Sequence, residues 1–226
     1  MSLEESLNVN SLIETDNILE IEESAPKFIV DWCKKSAADH RSMVKDSEER
    51  WSMLNDHMQI PDHIYTLLQD WIYFLNLPDL EYAVLFQKRR LEEHENHSLH
   101  IDYNKDYDEP ARACLNIPIE NYEQTSMDYW SGKYQTQKKY TNHSSDYAED
   151  KKSPGIDIPF LIIDWKENPV LTESYSVSQI PHLCRIDVPH SVTAHNDYRV
   201  ILSLRFKNNP QFDYIKDCYK KRNKYE

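Results

Sequence analysis

Residues 187–206, DVPHSVTAHNDYRVILSLRF, decide the fold that we predict for this chain. Residues 184–192 form an apolar segment that includes His190, a polar turn covers 193–197, and 198–206 alternates apolar and polar residues as a strand does. Side chains two residues apart in a strand share one face. Arg199, Ile201, Ser203 and Arg205 are therefore expected on one face. We expect the two segments to be neighbouring strands, with Arg199 beside the region of His190.

A second polar group lies far upstream. His100 and Asp102 stand two apart in the strand-like segment 98–102, so both can point into the same interior. His190 follows Asp102 by 88 residues, and Arg199 follows His190 by nine. Two histidines and one carboxylate on one side of a metal form the facial triad of non-haem Fe(II) oxygenases, which leaves coordination positions open.

The His-x-Asp spacing is weak by itself, because it recurs at His195-Asn196-Asp197. No histidine follows His195, so only the first pair has downstream histidines to complete a triad. His182 and His195 remain rivals of His190 for the third position, and His195 with Arg205 is a rival closing pair.

Three upstream histidines also permit a different metal site. His94, His97 and His100 step by three residues, as zinc ligands on one helix face would.

The amino-acid composition excludes or disfavours several classes of protein. A net charge of −13 disfavours nucleic acid as a partner, because a phosphate backbone needs a basic surface. Only two glycines occur, so the phosphate-binding glycine loops of kinases, P-loop proteins and Rossmann folds are excluded. The four cysteines are far apart, which indicates reduced thiols and a cytoplasmic location. No apolar run is long enough to suggest a membrane span.

Hydrophobic periodicity predicts helices followed by about eight short strands, which indicates the α+β class. Helices are expected over 11–23, over 40–57 and from Pro61 onward, and residues 131–155 are expected to be a long loop or lid. We divide the chain into an N-terminal helical extension (1–80), a β core (81–210) and a basic C-terminal tail (211–226).

The segments LHIDY, ACLNIPI and DVPHSVTAHNDYRVILSLRF together resemble the Fe(II)/2-oxoglutarate-dependent dioxygenase superfamily over about residues 82–206. The resemblance implies a double-stranded β-helix core, which is jelly-roll or cupin-like, with N-terminal helices added. It implies that His100, Asp102 and His190 hold Fe(II), and that Arg199 binds the far carboxylate of the co-substrate 2-oxoglutarate. Asn116 and Ser203 are weaker candidates for co-substrate contacts. O2 would take the remaining position, and an unknown substrate would be hydroxylated.

Two other functions fit the same residues. The chain could be a non-catalytic, cupin-like β-barrel module for binding or interaction, or an enzyme that uses a metal alone for hydrolysis. The sequence leaves open whether the substrate is a small molecule or a protein, and it does not indicate an oligomeric state.

Overall fold

The computed structural model describes residues 12–43, 51–55, 60–89, 99–104, 106–141, 158–194 and 198–222. Within these ranges the chain forms three helices and thirteen strands. The helices are α1, Lys27–Met43; α2, Asp62–Phe74; and α3, Phe212–Arg222. The strands are β1, Ile18–Glu20; β2, Trp51–Asn55; β3, Leu80–Arg89; β4, His100–Asn104; β5, Glu109–Pro110; β6, Ala113–Glu120; β7, Thr125–Ser131; β8, Tyr134–Thr141; β9, Ile158–Trp165; β10, Val170–Ser176; β11, His182–Arg185; β12, His190–Ala194; and β13, Tyr198–Phe206.

The strands form two sheets. Sheet A has the order β1-β11-β6-β13-β3-β2, and sheet B has the order β10-β7-β12-β4-β9-β8, with β5 paired to β4. From β3 to β13 the chain crosses repeatedly between the sheets: β3 lies in sheet A, β4 in B, β6 in A, β7 in B, β11 in A, β12 in B and β13 in A. Antiparallel strands that alternate between two facing sheets make a jelly roll, or double-stranded β-helix. The predicted α+β fold class is confirmed.

Alternation along the strands of sheet A produces two hydrophobic layers. Leu202 and Leu204 of β13 belong to a cluster with residues of α1, α2 and α3, so these helices cover the outer face of sheet A. Cys114 of β6 and Cys184 of β11 belong to a second cluster, which they share with Met127 of β7 in sheet B. The inner face of sheet A therefore points across the barrel toward sheet B.

A proline marks the start of α1 and of α2. Pro26 precedes α1 and Pro61 precedes α2, and a proline ring suits the first turn of a helix because no backbone donor is needed there. In α1, Ile29, Cys33 and Ala37 recur every four residues and are buried, which gives the helix one apolar face. No helix in the described part of the chain combines the length and apolar character that crossing a bilayer requires.

Strands β12 and β13 differ from the predicted arrangement. They are consecutive in the chain, but β12 pairs with β4 and β7 in sheet B, whereas β13 pairs with β3 and β6 in sheet A. The prediction that they are neighbouring strands is therefore wrong, because the chain crosses the barrel between them. Residues 184–192 are also divided between β11 and β12.

Three local predictions fail as well. The helix predicted over 11–23 is wrong, since residues 18–20 form β1, which pairs with β11. The helix predicted over 40–57 is wrong at 51–55, which form β2; residues 44–50 and 56–59 lie outside the described residues. The loop predicted over 131–155 contains β8, and residues 142–155 lie outside the described residues. The boundaries at 80 and 210 stay predictions.

Candidate metal centre

His100, Asp102 and His190 meet on the inner face of sheet B. His100 and Asp102 lie two apart on β4, and His190 of β12 is paired in register with His100 on the neighbouring strand. Residues directly opposite each other in an antiparallel pair project to the same face. The imidazole rings of His100 and His190 accordingly lie with centroids 4.5 Å apart.

The three residues could share one cation. One ligand atom from each lies within 4.8 Å of the other two, and no other group of this kind occurs in the described ranges. The Nε2 atom of His100 is 3.4 Å from Oδ1 of Asp102. His190 is buried, whereas about a quarter of the side chains of His100 and Asp102 is exposed, so the cluster faces solvent from the β4 side.

The ring of His190 is oriented by a backbone carbonyl and is neutral at pH 7. Its Nδ1 lies 2.9 Å from the carbonyl oxygen of Val188, so Nδ1 carries the proton and donates it to that carbonyl. Nε2 is thereby left with a free electron pair, which is how carbonyl groups commonly orient metal-binding histidines. Burial, together with the nearby His100, lowers the pKa of His190 to about 4, so the ring is neutral at pH 7. The sequence did not identify this backbone acceptor.

Asp102 is held as a carboxylate by an arginine. The Nη2 atom of Arg205 donates to Oδ2 of Asp102 at 2.9 Å. Burial alone would raise the pKa of Asp102, but the hydrogen bond with His100 and the charge of Arg205 hold it well below its ordinary value. Arg205 thus occupies Oδ2, whereas Oδ1 contacts Nε2 of His100, and a cation held by both residues would replace that contact.

A buried chain of polar groups fixes Arg205 in turn. Its Nη1 donates to Oγ of Ser203 at 2.6 Å, and that hydroxyl donates to Oδ1 of Asn116, also at 2.6 Å. Ser203 and Asn116 are paired in register on β13 and β6. Both residues were predicted to contact a co-substrate; in the structure they link the inner face of sheet A to Asp102 through Arg205.

Arg199 lies on the same face of β13 as Ser203 and Arg205. It is 8% exposed, and no acidic side chain pairs with it among the residues that the structure describes. Burial lowers its pKa to about 10, so the guanidinium keeps its charge at pH 7. A guanidinium can bind a carboxylate through two parallel hydrogen bonds.

The rival histidines have different positions. His182 lies on β11 in sheet A, where its Nδ1 is 3.0 Å from the carbonyl oxygen of Ile180 and its ring packs against Tyr175. It is not part of the triad cluster. His195, His94 and His97 lie outside the described residues. His100 is in a strand, so the helical zinc site that needs it on a helix face is contradicted.

The sequence predicted Arg205 on one face with Arg199 and Ser203 and as the partner of the rival His195, but it did not predict a role beside Asp102. The signal for its position was present, because the alternation in β13 puts it on the face of Arg199 and Ser203. Its contact with Asp102 could not be predicted from the sequence, because that contact joins a strand of one sheet to a strand of the other.

No protein-family model matches the chain, and no curated protein matches it. Among solved structures it is similar to HygX from Streptomyces hygroscopicus with nickel and 2-oxoglutarate bound, at 13% identity and a TM-score of 0.40, over 85% of this chain and 83% of that one. It is similar to AviO1 from Streptomyces viridochromogenes Tue57, at 10% identity and a TM-score of 0.41, over 86% and 92% of the two chains. A Pseudomonas putida prolyl-4-hydroxylase is similar at 10% identity and a TM-score of 0.31, over 85% and 94%.

Proposed function

We propose that this protein is an Fe(II)- and 2-oxoglutarate-dependent dioxygenase that hydroxylates an unknown substrate. The observation that supports the proposal most directly is the convergence of His100, Asp102 and His190, whose ligand atoms lie within 4.8 Å of one another. Two imidazole nitrogens and one carboxylate oxygen suit Fe(II), and they leave positions for a co-substrate and O2.

The charges of the cluster agree with a divalent cation and an anionic co-substrate. His190 is neutral at pH 7, and the negative charge of Asp102 is balanced by Arg205. A dication bound to this set would keep most of its charge, which favours a dianion such as 2-oxoglutarate as the next ligand.

Arg199 is proposed to bind the far carboxylate of 2-oxoglutarate. Its guanidinium is charged and buried on the inner face of β13, and the fork of a guanidinium matches a carboxylate with two parallel hydrogen bonds. Contacts of Asn116 or Ser203 with the co-substrate stay a prediction. In the structure the polar atoms of these two residues bond to each other, and Ser203 also accepts from Arg205.

Bound at this site, Fe(II) and 2-oxoglutarate would supply the chemistry that reduces O2 and adds one oxygen atom to a C–H bond. The chain's own residues orient the ligands: Val188 holds the His190 ring, and Arg205 holds Asp102. The substrate is a small molecule or a protein, and the net charge of −13 disfavours nucleic acid. A cytoplasmic location belongs to the same proposal.

The test is anaerobic addition of Fe(II) and then 2-oxoglutarate to the metal-free protein, followed by visible absorption spectroscopy. We expect a charge-transfer band with the wild type and no band with His100→Ala or His190→Ala. His63→Ala, on α2, is the matched control for losing a histidine away from the cluster. Arg199→Met should keep Fe(II) but weaken 2-oxoglutarate binding by about 10- to 100-fold, which corresponds to the loss of a charge-assisted hydrogen bond.

Other outcomes would support the other functions. Absence of both a band and thermal stabilisation by 2-oxoglutarate would favour the cupin-like binding module. Tight zinc binding without any response to 2-oxoglutarate would favour a hydrolytic enzyme that uses the metal alone.

A further inference from the structure

Two cysteines that the proposed reaction does not use lie side by side on the inner face of sheet A. Cys114 of β6 and Cys184 of β11 are partners in register, so their side chains project to the same face. Two residues further along the same ladder, the Ile186 amide donates to the Arg112 carbonyl oxygen at 3.1 Å. Hydrogen-bonded pairs recur every two residues, so Cys114 and Cys184 also form such a pair. Their Cα atoms are then about 5.5 Å apart, inside the range that a disulfide spans.

The sulfur atoms also share a neighbour. Cys114 Sγ lies 3.5 Å from Oδ1 of Asn116, and Nδ2 of Asn116 donates to Cys184 Sγ at 3.4 Å. One amide group therefore contacts both thiols and brings them to the same side of the sheet. Both are free thiols in the structure.

The pair connects to the candidate metal centre through the polar chain described above. Asn116 contacts Ser203, Ser203 contacts Arg205, and Arg205 contacts Asp102, whose side chain is 24% exposed. Both cysteines are themselves buried, so an oxidant must be small to reach them without unfolding of the protein.

We propose that Cys114 and Cys184 are a peroxide-sensitive dithiol that closes to a cross-strand disulfide in the folded protein. The sulfur of one cysteine attacks hydrogen peroxide, which gives a sulfenic acid and releases one water molecule. The second sulfur then attacks the sulfenic sulfur, forms the S–S bond and releases a second water molecule. Two thiols are oxidised and one peroxide is reduced, and no bound metal is required.

The disulfide changes the surroundings of the metal centre. Cys114 no longer has a thiol hydrogen directed at Oδ1 of Asn116, and both sulfurs move toward each other. Asn116 is the far end of the chain that positions Arg205, so oxidation acts on the residues that hold Asp102.

The experiment uses the full-length, metal-free protein with hydrogen peroxide, followed by alkylation and peptide mapping without reductant. We expect a peptide pair joined through Cys114 and Cys184 and lighter than the two thiol peptides by about 2 Da, the mass of the hydrogens lost. Cys33 is the internal control. It is equally buried, but it lies on α1, in the core between the helices and sheet A. Against the effect of burial, a hydrogen bond with Cys184 and the charge of Arg205 lower the pKa of Cys114, whereas burial raises the pKa of Cys33. The pair should therefore react at least about tenfold faster than Cys33, because the thiolate is the form that attacks peroxide.

Two variants test the roles of the individual cysteines. In Cys184→Ala, Cys114 should stop at the sulfenic acid and be captured by dimedone, whereas Cys33→Ala should form the disulfide as the wild type does. The proposal is overturned if both cysteines stay free until urea unfolds the protein, if they react no faster than Cys33, or if Cys114 pairs with Cys218 instead. None of these results depends on Fe(II) or 2-oxoglutarate binding, so they are separate from the test of the proposed function.

Discussion

Replacement of Arg205 by methionine tests whether the contact with Asp102 organises this face of the barrel. The guanidinium bonds to Asp102 at 2.9 Å and to Ser203 at 2.6 Å, and the Arg205 and Asp102 side chains are only 10% and 24% exposed. Methionine has a similar length and keeps the apolar packing, so the main loss is electrostatic.

The magnitude follows from these contacts. Removing one partner of a fully buried ion pair costs about 3–5 kcal/mol. Asp102 keeps its contact with His100 and part of its hydration, which reduces that figure to about 2 kcal/mol. The Ser203 hydroxyl loses a donor, which adds about 1 kcal/mol. We therefore expect the free energy of unfolding to fall by about 3 kcal/mol and the melting temperature by about 6–12 °C.

The assay is urea unfolding of the metal-free protein at pH 7, followed by circular dichroism. Lys207→Met is the matched control, because Lys207 lies just beyond the same strand and forms an exposed pair with Asp79 at 3.7 Å. That pair should contribute less than about 1 kcal/mol. Arg205→Lys should fall between the two, because one ammonium group cannot match both contacts of the guanidinium fork. A loss for Arg205→Met no larger than that for Lys207→Met would refute the reasoning.

Two further predictions concern stability away from the triad. Burial lowers the pKa of His182 from 6.5 to about 4, so the unfolded chain binds more protons between these values and stability falls as the pH drops through them. Urea unfolding should show wild type losing about 2 kcal/mol relative to His182→Gln between pH 7 and pH 5; equal losses would contradict the assignment. Gly132 has φ +148°, and an added Cβ would lie 2.9 Å from the Trp165 ring. Gly132→Ala should lower the melting temperature by an amount equivalent to about 1–3 kcal/mol, whereas Ser131→Ala should change it little.

Local sequence patterns predicted some elements well and others badly. The helix after Pro61 was predicted, because its apolar residues recur at helical spacing and proline marks its start. Strand β1 was predicted as helix, because its identity depends on pairing with β11, far along the chain. Strand β8 was predicted as loop, since it lies at the edge of sheet B and its described side chains are mostly exposed, so it lacks an alternating apolar face.

The sequence by itself determined which residue types could form a metal centre and which of them share a strand face. A period of two puts His100 beside Asp102 and Arg199 on the face of Ser203 and Arg205, whatever the strands pair with. Tertiary structure alone decided that His190 stands opposite His100, that Arg205 reaches Asp102 from the facing sheet, and that two distant cysteines become partners. Those contacts depend on strand register and on the separation of the sheets, which are set by packing of the whole barrel and not by any local run of residues.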